Sequence, residues 1–148
     1  MTPVPQGPGS FKVRPARRGD AVPLVGLLAQ VGIASDPNTV TWIISHPEME
    51  IMVAADQLDR PIGFATLSHR PMLKTGGRSA TIDELNVTES WRRKGVGREL
   101  LKKVVERAKV LSVKRLEVQT YGPATPELVA FFRACGFEGC DVGVFRIK

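Results

Sequence analysis

One stretch of the sequence decides the fold: Asp83-Glu84-Leu85-Asn86-Val87-Thr88-Glu89-Ser90-Trp91-Arg92-Arg93-Lys94-Gly95-Val96-Gly97-Arg98. Its first part closes a segment, residues 80–87, in which β-branched and apolar residues predict a strand. After a polar turn, apolar residues recur at steps that trace one face of a helix, namely Val96, Leu100, Leu101, Val104, Val105, Ala108 and Leu111. The stretch therefore predicts a strand, a basic turn and an amphipathic helix in direct succession.

The turn between the strand and the helix has the composition of a phosphate site. It combines the basic residues 92–94 with Gly95 and Gly97. The first amides of a helix have no partners within it, and the helix dipole adds partial positive charge at the same end. Glycine at these two positions would let the backbone approach a ligand without an intervening Cβ. The turn therefore predicts an anion site.

The charge of the chain is concentrated on the same segment. The sequence has 21 Lys and Arg against 15 Asp and Glu, a net charge of +6. Residues 91–115 alone contain ten basic and two acidic residues, a net of +8, so the rest of the chain sums to −2. Because the positive field is focused on one turn and one helix, we expect a polyanionic ligand there.

The motif Arg92-x-x-Gly95-x-Gly97, behind a Glu84-Leu85-x-Val87 strand and ahead of a long amphipathic helix, resembles the acyl-CoA-binding segment of the GNAT superfamily of N-acyltransferases. The resemblance implies an N-acetyltransferase that uses acetyl-CoA as co-substrate and a primary amine as acceptor. It also implies a homodimer, since similar proteins are often dimers. His46 and His69 lack the spacing of metal ligands, so no metal is expected.

The resemblance further implies which residues bind acetyl-CoA. Main-chain amides around 85–87 would pair with the pantetheine arm, and the Val87 amide would polarise the thioester carbonyl as an oxyanion donor. Backbone amides of the basic turn would hold the pyrophosphate. The complete predicted binding set is Leu85, Asn86, Val87, Arg92, Arg93, Lys94, Gly95, Val96, Gly97 and Arg98.

Glu84 is the first candidate for the catalytic base. A central strand rarely carries two adjacent acids unless one is solvated, paired or used, and strand alternation predicts that Asp83 and Glu84 face opposite sides of the sheet. A carboxylate at the edge of a cleft tends to have a raised pKa, which suits removal of a proton from an amine. The alternative is a structural acid paired with Arg70 or Arg78, and Asp83 is the lesser candidate for the base.

The general acid is the point at which the sequence departs from the resemblance. Family members commonly place an Asn, an Ala and a Tyr on the last helix before a Gly-Phe pair. Here those positions read Thr125, Leu128 and Phe132, ahead of Gly136-Phe137. A phenyl ring cannot donate a proton. A water, Tyr121 or Cys135 could protonate the departing thiolate, or the thiolate leaves unaided.

The pattern of elements predicts an α+β fold, a three-layer arrangement of α and β. The resemblance implies a mixed, mostly antiparallel sheet of about six to seven strands flanked by about four helices. Helices are predicted over 21–31, 38–45, 96–111 and 126–135, and strands over 11–14, 50–55, 62–69, 80–87, 115–121 and 142–147. Residues 70–78 are predicted as a mobile loop, and Trp42 as a core residue. The proline- and glycine-rich residues 1–10 are predicted as a flexible leader before a single N-acetyltransferase domain, residues 11–148.

Composition excludes several classes of protein. No apolar run approaches the ~20 residues of a membrane span, and the N-terminus lacks the pattern of a signal peptide. Two cysteines, Cys135 and Cys140, are too few for a disulfide scaffold. A cytoplasmic location and no membrane partner are therefore expected.

Two other functions stay open at this point. A CoA-binding or regulatory module with little catalysis would explain Phe132 at the acid position. A nucleic-acid-binding domain would use the basic helix, although aromatic residues do not interleave with its charges. The acceptor is not readable from the sequence, though His69 could contact it. Arg70, Lys74 and Arg78 hint weakly at an anionic acceptor, with a solvated loop as the preferred interpretation.

Overall fold

The computed structural model describes residues 10–120 and 124–148. Within these ranges it has five strands and four helices. In chain order they are β1 Lys12–Pro15, α1 Ala21–Gln30, α2 Pro37–Ile44, β2 Met49–Ala55, β3 Pro61–Met72, β4 Gly77–Val87, α3 Val96–Val110, β5 Arg115–Val118 and α4 Pro126–Ala134. The predicted α+β class is confirmed, and so is the order of these nine elements.

The strands form one sheet in the order β1-β2-β3-β4-β5. The first three pairings are antiparallel and the last, between β4 and β5, is parallel. A parallel pair needs a long crossover connection, and α3 supplies it. The basic turn before α3 therefore lies at the C-terminal end of β4.

Helices cover both faces of the sheet. On one face, which we call the α3 face, Leu67 and Ile82 pack against Leu100, Leu101 and Val104 of α3 in one buried cluster. On the other, the α1/α2 face, a second cluster joins α1 and α2 to the sheet; its buried members are Ala21, Leu24, Leu27, Val40, Val53 and Phe64. α1 and α2 thus pack mainly on β2 and β3 and leave β4 and β5 less covered.

The prediction of a loop over residues 70–78 is wrong. β3 and β4 stay paired across this segment, from Arg70 opposite Ser79 to Met72 opposite Gly77. Only the tip turns, through a short 3-10 segment, Leu73–Thr75, and Gly76 at φ 68°. Pro71 and the two glycines signal a turn in the sequence, but cross-strand hydrogen bonds carry the strands past the proline.

The sheet has fewer strands than the six to seven expected. The predicted strand over 142–147 is absent from the described C-terminal range, where Phe145 and Ile147 are each 98% exposed. Alternating apolar residues form a strand only where a partner strand pairs with them. β5 ends at Val118 rather than 121; Tyr121 lies outside the described residues, as does the predicted leader up to residue 9.

Trp42 is not a core residue, contrary to the prediction. It lies on the outer side of α2, where it is 66% exposed and contacts the His46 ring edge-on with centroids 5.5 Å apart. The helix uses Val40, not Trp42, for its buried contact with the sheet. Among the described residues, no helix is long and apolar enough to cross a membrane.

Candidate active site at the end of β4

A β-bulge places both acids of β4 on the same face of the sheet. Leu67 pairs with Ile82 while Thr66 pairs with Glu84, so Asp83 is an extra residue without its own partner on β3. Paired residues share a face. Glu84 therefore lies with Thr66 on the α1/α2 face. The prediction that Asp83 and Glu84 face opposite sides is wrong, because the bulge shifts the alternation by one residue.

Hydrogen bonding confirms the side on which Asp83 lies. Ser68, two residues from Thr66 on β3 and on the same face, donates from its Oγ to the Asp83 Oδ2 at 2.6 Å. Asp83 is therefore anchored to the neighbouring strand. Glu84 forms no ion pair within the ranges 10–120 and 124–148, so its proposed structural pairing with Arg70 or Arg78 is not present.

The local environment raises the pKa of Glu84. Burial is the larger cause and the negative charge of Asp83 is the second. The residue is exposed, so this burial is partial, and the carboxyl group loses only part of its hydration to the surrounding protein. A carboxylate with a raised pKa is a better proton acceptor near neutral pH. Glu84 therefore has the electrostatics expected of a general base.

β4 and β5 separate beyond the bulge. Their ladder ends at Ile82 opposite Val118, with one further bond from Gln119 N to Ile82 O at 3.1 Å. β4 continues for five more residues, to Val87, without β5 beside it. The side of β4 from Asp83 to Val87 therefore has no neighbouring strand among the described residues, and we call this side of β4 the gap.

Two main-chain amides of β4 point into this gap. Thr88 N donates to Ile62 O of β3 at 2.8 Å, so residues 86 and 88 direct their backbone groups toward β3. By alternation, the amides of Leu85 and Val87 point the other way, to the side that β5 has left. Asn86 instead contacts α1, with its Nδ2 3.5 Å from Leu27 O. Of the three predicted strand residues, Leu85 and Val87 thus present main-chain donors.

The basic turn is held by its own side chains. Arg92 Nε donates to Val87 O at 2.9 Å, and Lys94 Nζ donates to Ser90 O at 2.8 Å. Arg93 has a positive φ of 63° and Gly95, the residue that precedes α3, a φ of 84°. The first helical bond runs from Glu99 N to Gly95 O at 3.1 Å. The amides of residues 96–98 therefore have no acceptor within the helix.

The two glycines of the turn have different roles. A Cβ on Gly95 would meet nothing within 4 Å, but its left-handed backbone favours glycine. A Cβ on Gly97 would touch Phe131 at 3.5 Å and Val87 at 4.0 Å, which are ordinary contacts. Gly95 is therefore required by conformation, while Gly97 faces protein and tolerates a small side chain.

The positive surplus of α3 is divided between ion pairs and a groove. Arg107 Nη2 contacts Glu50 Oε1 at 2.9 Å and Lys103 Nζ lies 3.7 Å from Glu106 Oε2. The other basic residues border a groove of about 520 Å³ between α3 and α4; they are Arg98, Lys102 and Lys109. This groove begins at Arg98 in the first turn of α3, just after the basic turn, so the positive field extends from the turn along α3.

The position expected to hold the general acid is filled by an aromatic cluster. Phe132 makes edge-on contacts with Phe131 and Phe137, at centroid distances of 5.4 and 6.1 Å. Phe132 borders a cavity of about 590 Å³ between β5, α4 and the C-terminal residues, whereas Cys135 borders the α3–α4 groove. Cys135 is therefore not placed to substitute for Phe132, and Tyr121 is outside the described residues.

His69 does not lie beside Glu84. It is 5% exposed and shares the α3 face with Leu67, so the sheet separates it from Glu84. Its Nδ1 is 3.2 Å from Arg78 Nη1 and its Nε2 3.9 Å from Glu50 Oε1. Burial, and then the Arg78 charge, lower the pKa of His69. The suggested contact between His69 and an acceptor at Glu84 is therefore not supported.

Three residues near the site were not foreseen from the sequence. Gln30 at the end of α1 accepts a 2.9 Å hydrogen bond from Thr88 Oγ1 and ties α1 to the end of β4. Thr66 and Ser68 lie opposite the two acids on β3. Their two-residue spacing marks one face of a strand, but the sequence does not reveal which acids they oppose. In the described parts of the chain no group of three His, Cys, Asp or Glu could hold a metal ion.

Comparisons with known proteins agree with this architecture. The acetyltransferase (GNAT) family model matches residues 28–137, about three quarters of the chain. No curated protein matches the sequence significantly.

Solved structures share the fold across almost the whole chain. A putative acetyltransferase from Agrobacterium tumefaciens str. C58 is 25% identical, with a TM-score of 0.80, 93% of this chain covered and 99% of that chain. A ribosomal-protein-alanine N-acetyltransferase from Brucella melitensis biovar Abortus 2308 is 20% identical, with a TM-score of 0.76 and coverages of 94% and 99%. A glucosamine-6-phosphate N-acetyltransferase from Arabidopsis thaliana is 16% identical, with a TM-score of 0.79 and coverages of 93% and 98%.

Proposed function

The chain belongs to the acetyltransferase (GNAT) family, and from this premise we propose that it transfers an acetyl group from acetyl-CoA to a primary amine by direct attack. The observation that carries the proposal is the gap between β4 and β5. It leaves the Val87 amide without a partner strand among the described residues, and the basic turn follows directly, with Arg92 Nε bonded to Val87 O. The acetyltransferase domain is proposed to span residues 11–148.

Two sets of main-chain donors would hold the donor substrate. The amides of Leu85 and Val87 would pair with the pantetheine arm, as an added strand pairs with a sheet edge. The amides of residues 96–98, with Arg93 and the charges of the α3 groove, would bind the phosphates. Arg92 and Lys94 would contribute mainly by holding the turn, because both already bond to its backbone.

Glu84 and Val87 would divide the chemistry between them. The neutral amine nitrogen forms a bond to the thioester carbonyl carbon, and the Val87 N–H donates to the oxygen on which negative charge develops. Glu84 accepts the proton that the amine nitrogen loses. The carbon–sulfur bond then breaks and the sulfur leaves as a thiolate. Much of the rate gain would come from holding two substrates in reacting geometry.

The catalytically weak CoA-binding module is the second candidate, and Phe132 is the observation that favours it. Its ring packs among aromatic neighbours, so no hydroxyl stands at that position of α4. A CoA thiol is already fairly acidic, so we expect the missing acid to slow the reaction without abolishing it. We further propose a cytoplasmic protein that needs no metal and acts on an amine of a small molecule or a protein; a homodimer is also proposed.

Acetyl-CoA binding and turnover together test the proposal. A ligand present at about 100 times its Kd adds roughly 2.7 kcal/mol to stability, so acetyl-CoA should raise the melting temperature. Release of free CoA thiol across a panel of primary amines then measures transfer. No thermal shift with millimolar acetyl-CoA would contradict both candidates, while strong binding without thiol release on any amine would favour the binding module.

A further inference from the structure

Two hydroxyl side chains on β3 stand opposite the two acids on β4. Ser68 is hydrogen-bonded to Asp83 at 2.6 Å. Thr66 is the cross-strand partner of Glu84, and its Oγ1 is buried without a hydrogen-bond partner among the described residues. The hydroxyl of Ser68 is therefore hydrogen-bonded to its carboxylate, whereas the hydroxyl of Thr66 and the carboxylate of Glu84 are not bonded to each other.

An unpartnered buried hydroxyl requires an explanation. Thr66 is 4% exposed, and burying a hydroxyl without a partner is unfavourable. Valine has the same shape as threonine without the hydroxyl, and it also favours strands. Buried polar groups without partners are rare in native proteins and often mark functional positions. The buried hydroxyl of Thr66 therefore indicates a hydrogen bond that forms in another state of the site.

Glu84 is the acceptor that the strand register offers to Thr66. On the other side of Thr66, the β2 residue in register is Ile51, which has no polar side-chain atom. Glu84 is exposed, so its carboxyl group has room to rotate. Cross-strand side chains in register lie close enough to interact. A change of Glu84 side-chain rotamer would let one carboxylate oxygen accept from Thr66 Oγ1, without movement of the backbone.

We propose that Thr66 is a positioning residue for Glu84: with CoA in place, the Thr66 hydroxyl donates to one oxygen of the ionised carboxylate and so directs the other at the nitrogen of an incoming amine. This role rests on the proposed function. It supplies the third group that orients a base toward the atom from which it removes a proton. Thr66 itself does not touch the substrate.

Few other charges on the α1/α2 face compete with this interaction. Asp83 of β4 is the nearest, and it bonds to Ser68. Arg115 and Glu117 of β5 lie on the same face and pair with each other at 2.8 Å. Arg70 of β3 is on this face and exposed. The two helices that cover the face, α1 and α2, contain no charged residue.

Titration of Glu84 tests this role without requiring a known acceptor. The carboxyl carbon of Glu84 would be followed by NMR against pH, with CoA bound, in wild type, Thr66→Val and Thr66→Ser. Donation to the ionised carboxylate favours it, so loss of the hydroxyl should move the titration to higher pH in Thr66→Val, and Thr66→Ser should restore it. Thr81→Val, which removes another buried hydroxyl from the same face, is the matched control and should titrate like wild type.

Turnover with the best amine of the panel supplies the second measurement. Thr66→Val should lower kcat by about 3- to 10-fold with little change in KM for acetyl-CoA, and Thr66→Ser should recover most of it. Thr66→Ala serves as a second hydroxyl-free variant if the valine variant does not fold.

The outcomes separate the two hypotheses. Identical Glu84 titrations in wild type and Thr66→Val, in a protein that acetyl-CoA stabilises, would overturn the role of Thr66 alone. Failure of acetyl-CoA to stabilise the wild type would overturn the proposed function, and the role of Thr66 with it.

Discussion

Asp83 and Glu84 are neighbours in sequence and also lie on the same face of the sheet, which ordinary strand alternation does not allow. The bulge that brings them together leaves Asp83 bonded to Ser68 and Glu84 beside a second negative charge. That charge is one of the two causes of the raised Glu84 pKa. The bulge therefore links the local backbone geometry of β4 to the proton affinity of the proposed base.

Replacement of Asp83 should lower the pKa of Glu84. In Asp83→Asn the neighbouring negative charge is lost, so the pKa of Glu84 should fall toward its ordinary value. A base works in its ionised form, so the acidic limb of the kcat/KM profile should move to lower pH. Glu117→Gln removes a more distant carboxylate of the same face and serves as control. An acidic limb that stays in place in Asp83→Asn would exclude Glu84 as the titrating group.

Replacement of Glu84 should separate activity from stability. Glu84→Gln should lower turnover by about 10²-fold or more while acetyl-CoA binding persists. The pKa of Glu84 is raised in the folded protein, so its ionisation there opposes folding, and this penalty grows as the pH rises through the folded pKa. The variant should therefore melt no lower than wild type at neutral pH.

Two measurements check this expectation. Thiol release gives the turnover, and thermal denaturation at pH 5 and pH 8 gives the stability. A clear loss of stability in Glu84→Gln at the higher pH, or unchanged turnover, would contradict the assigned role.

The two glycines of the basic turn should respond differently to alanine. Gly95→Ala forces a side chain into a left-handed conformation and should lower the free energy of unfolding by about 1–2 kcal/mol. Gly97→Ala adds a methyl group at ordinary contact distance from Phe131 and should change it by less than about 0.5 kcal/mol. Urea denaturation of both variants measures the difference. Equal losses, or the reverse order, would mean that the turn has a different backbone conformation.

The Arg14–Asp20 pair should make the protein sensitive to acid. Asp20 is 3% exposed and accepts from Arg14 Nη1 at 2.7 Å, Arg14 Nη2 at 2.9 Å and Arg17 N at 2.9 Å. Burial opposes its ionisation, but the bonds from Arg14 and Arg17 outweigh that effect and lower the pKa of Asp20. Its stabilising contribution is therefore present above the unfolded pKa and is lost as the pH falls through the folded pKa.

Asp20→Asn should lower the free energy of unfolding by about 2–3 kcal/mol at pH 7, because Arg14 loses its buried partner and keeps only the pair with Asp59 at 3.0 Å. The loss should shrink as the pH falls below the unfolded pKa of Asp20, because the unfolded wild-type chain then binds a proton that the folded state still excludes. Denaturant midpoints measured from pH 2 to pH 7 give this dependence. Asp56→Asn, whose charged partner Arg60 is 71% exposed, offers a comparison with a smaller expected loss. A difference between Asp20→Asn and wild type that stays constant with pH would be inconsistent with the ion pair.

The strand–turn–helix unit was predictable because its signals are local. The apolar steps from Val96 to Leu111 and the glycine before the helix depend on neighbouring residues alone, and α3 begins where they indicate. The bulge at Asp83 depends on the register between β3 and β4, which no local pattern reveals. The same limit explains residues 70–78, where pairing with a distant strand overrides the turn signals.

The C-terminal segment and the site illustrate the same difficulty in other ways. In residues 142–147 apolar and polar side chains alternate, as they do in a strand. A strand forms only beside a partner strand, and the sequence of this segment does not show whether a partner is present. Thr66 could not be predicted from the sequence. What distinguishes it is a buried hydroxyl without a hydrogen-bond partner among the described residues, which only the fold reveals. The cofactor-binding set, Glu84 as base and Val87 as oxyanion donor stay predictions that the proposed experiments address.

The proposed site can be approached from both faces of the sheet, because β4 has no neighbouring strand beyond Ile82 among the described residues. Its basic turn leads into α3 on one side, and Glu84 lies on the other. A donor that enters beside α3 and an acceptor that enters from the α1/α2 side would meet inside the sheet without sharing an entrance. Neither substrate needs to leave the site before the other binds. Double-reciprocal plots of initial velocity against one substrate, at several fixed concentrations of the other, should therefore intersect rather than run parallel.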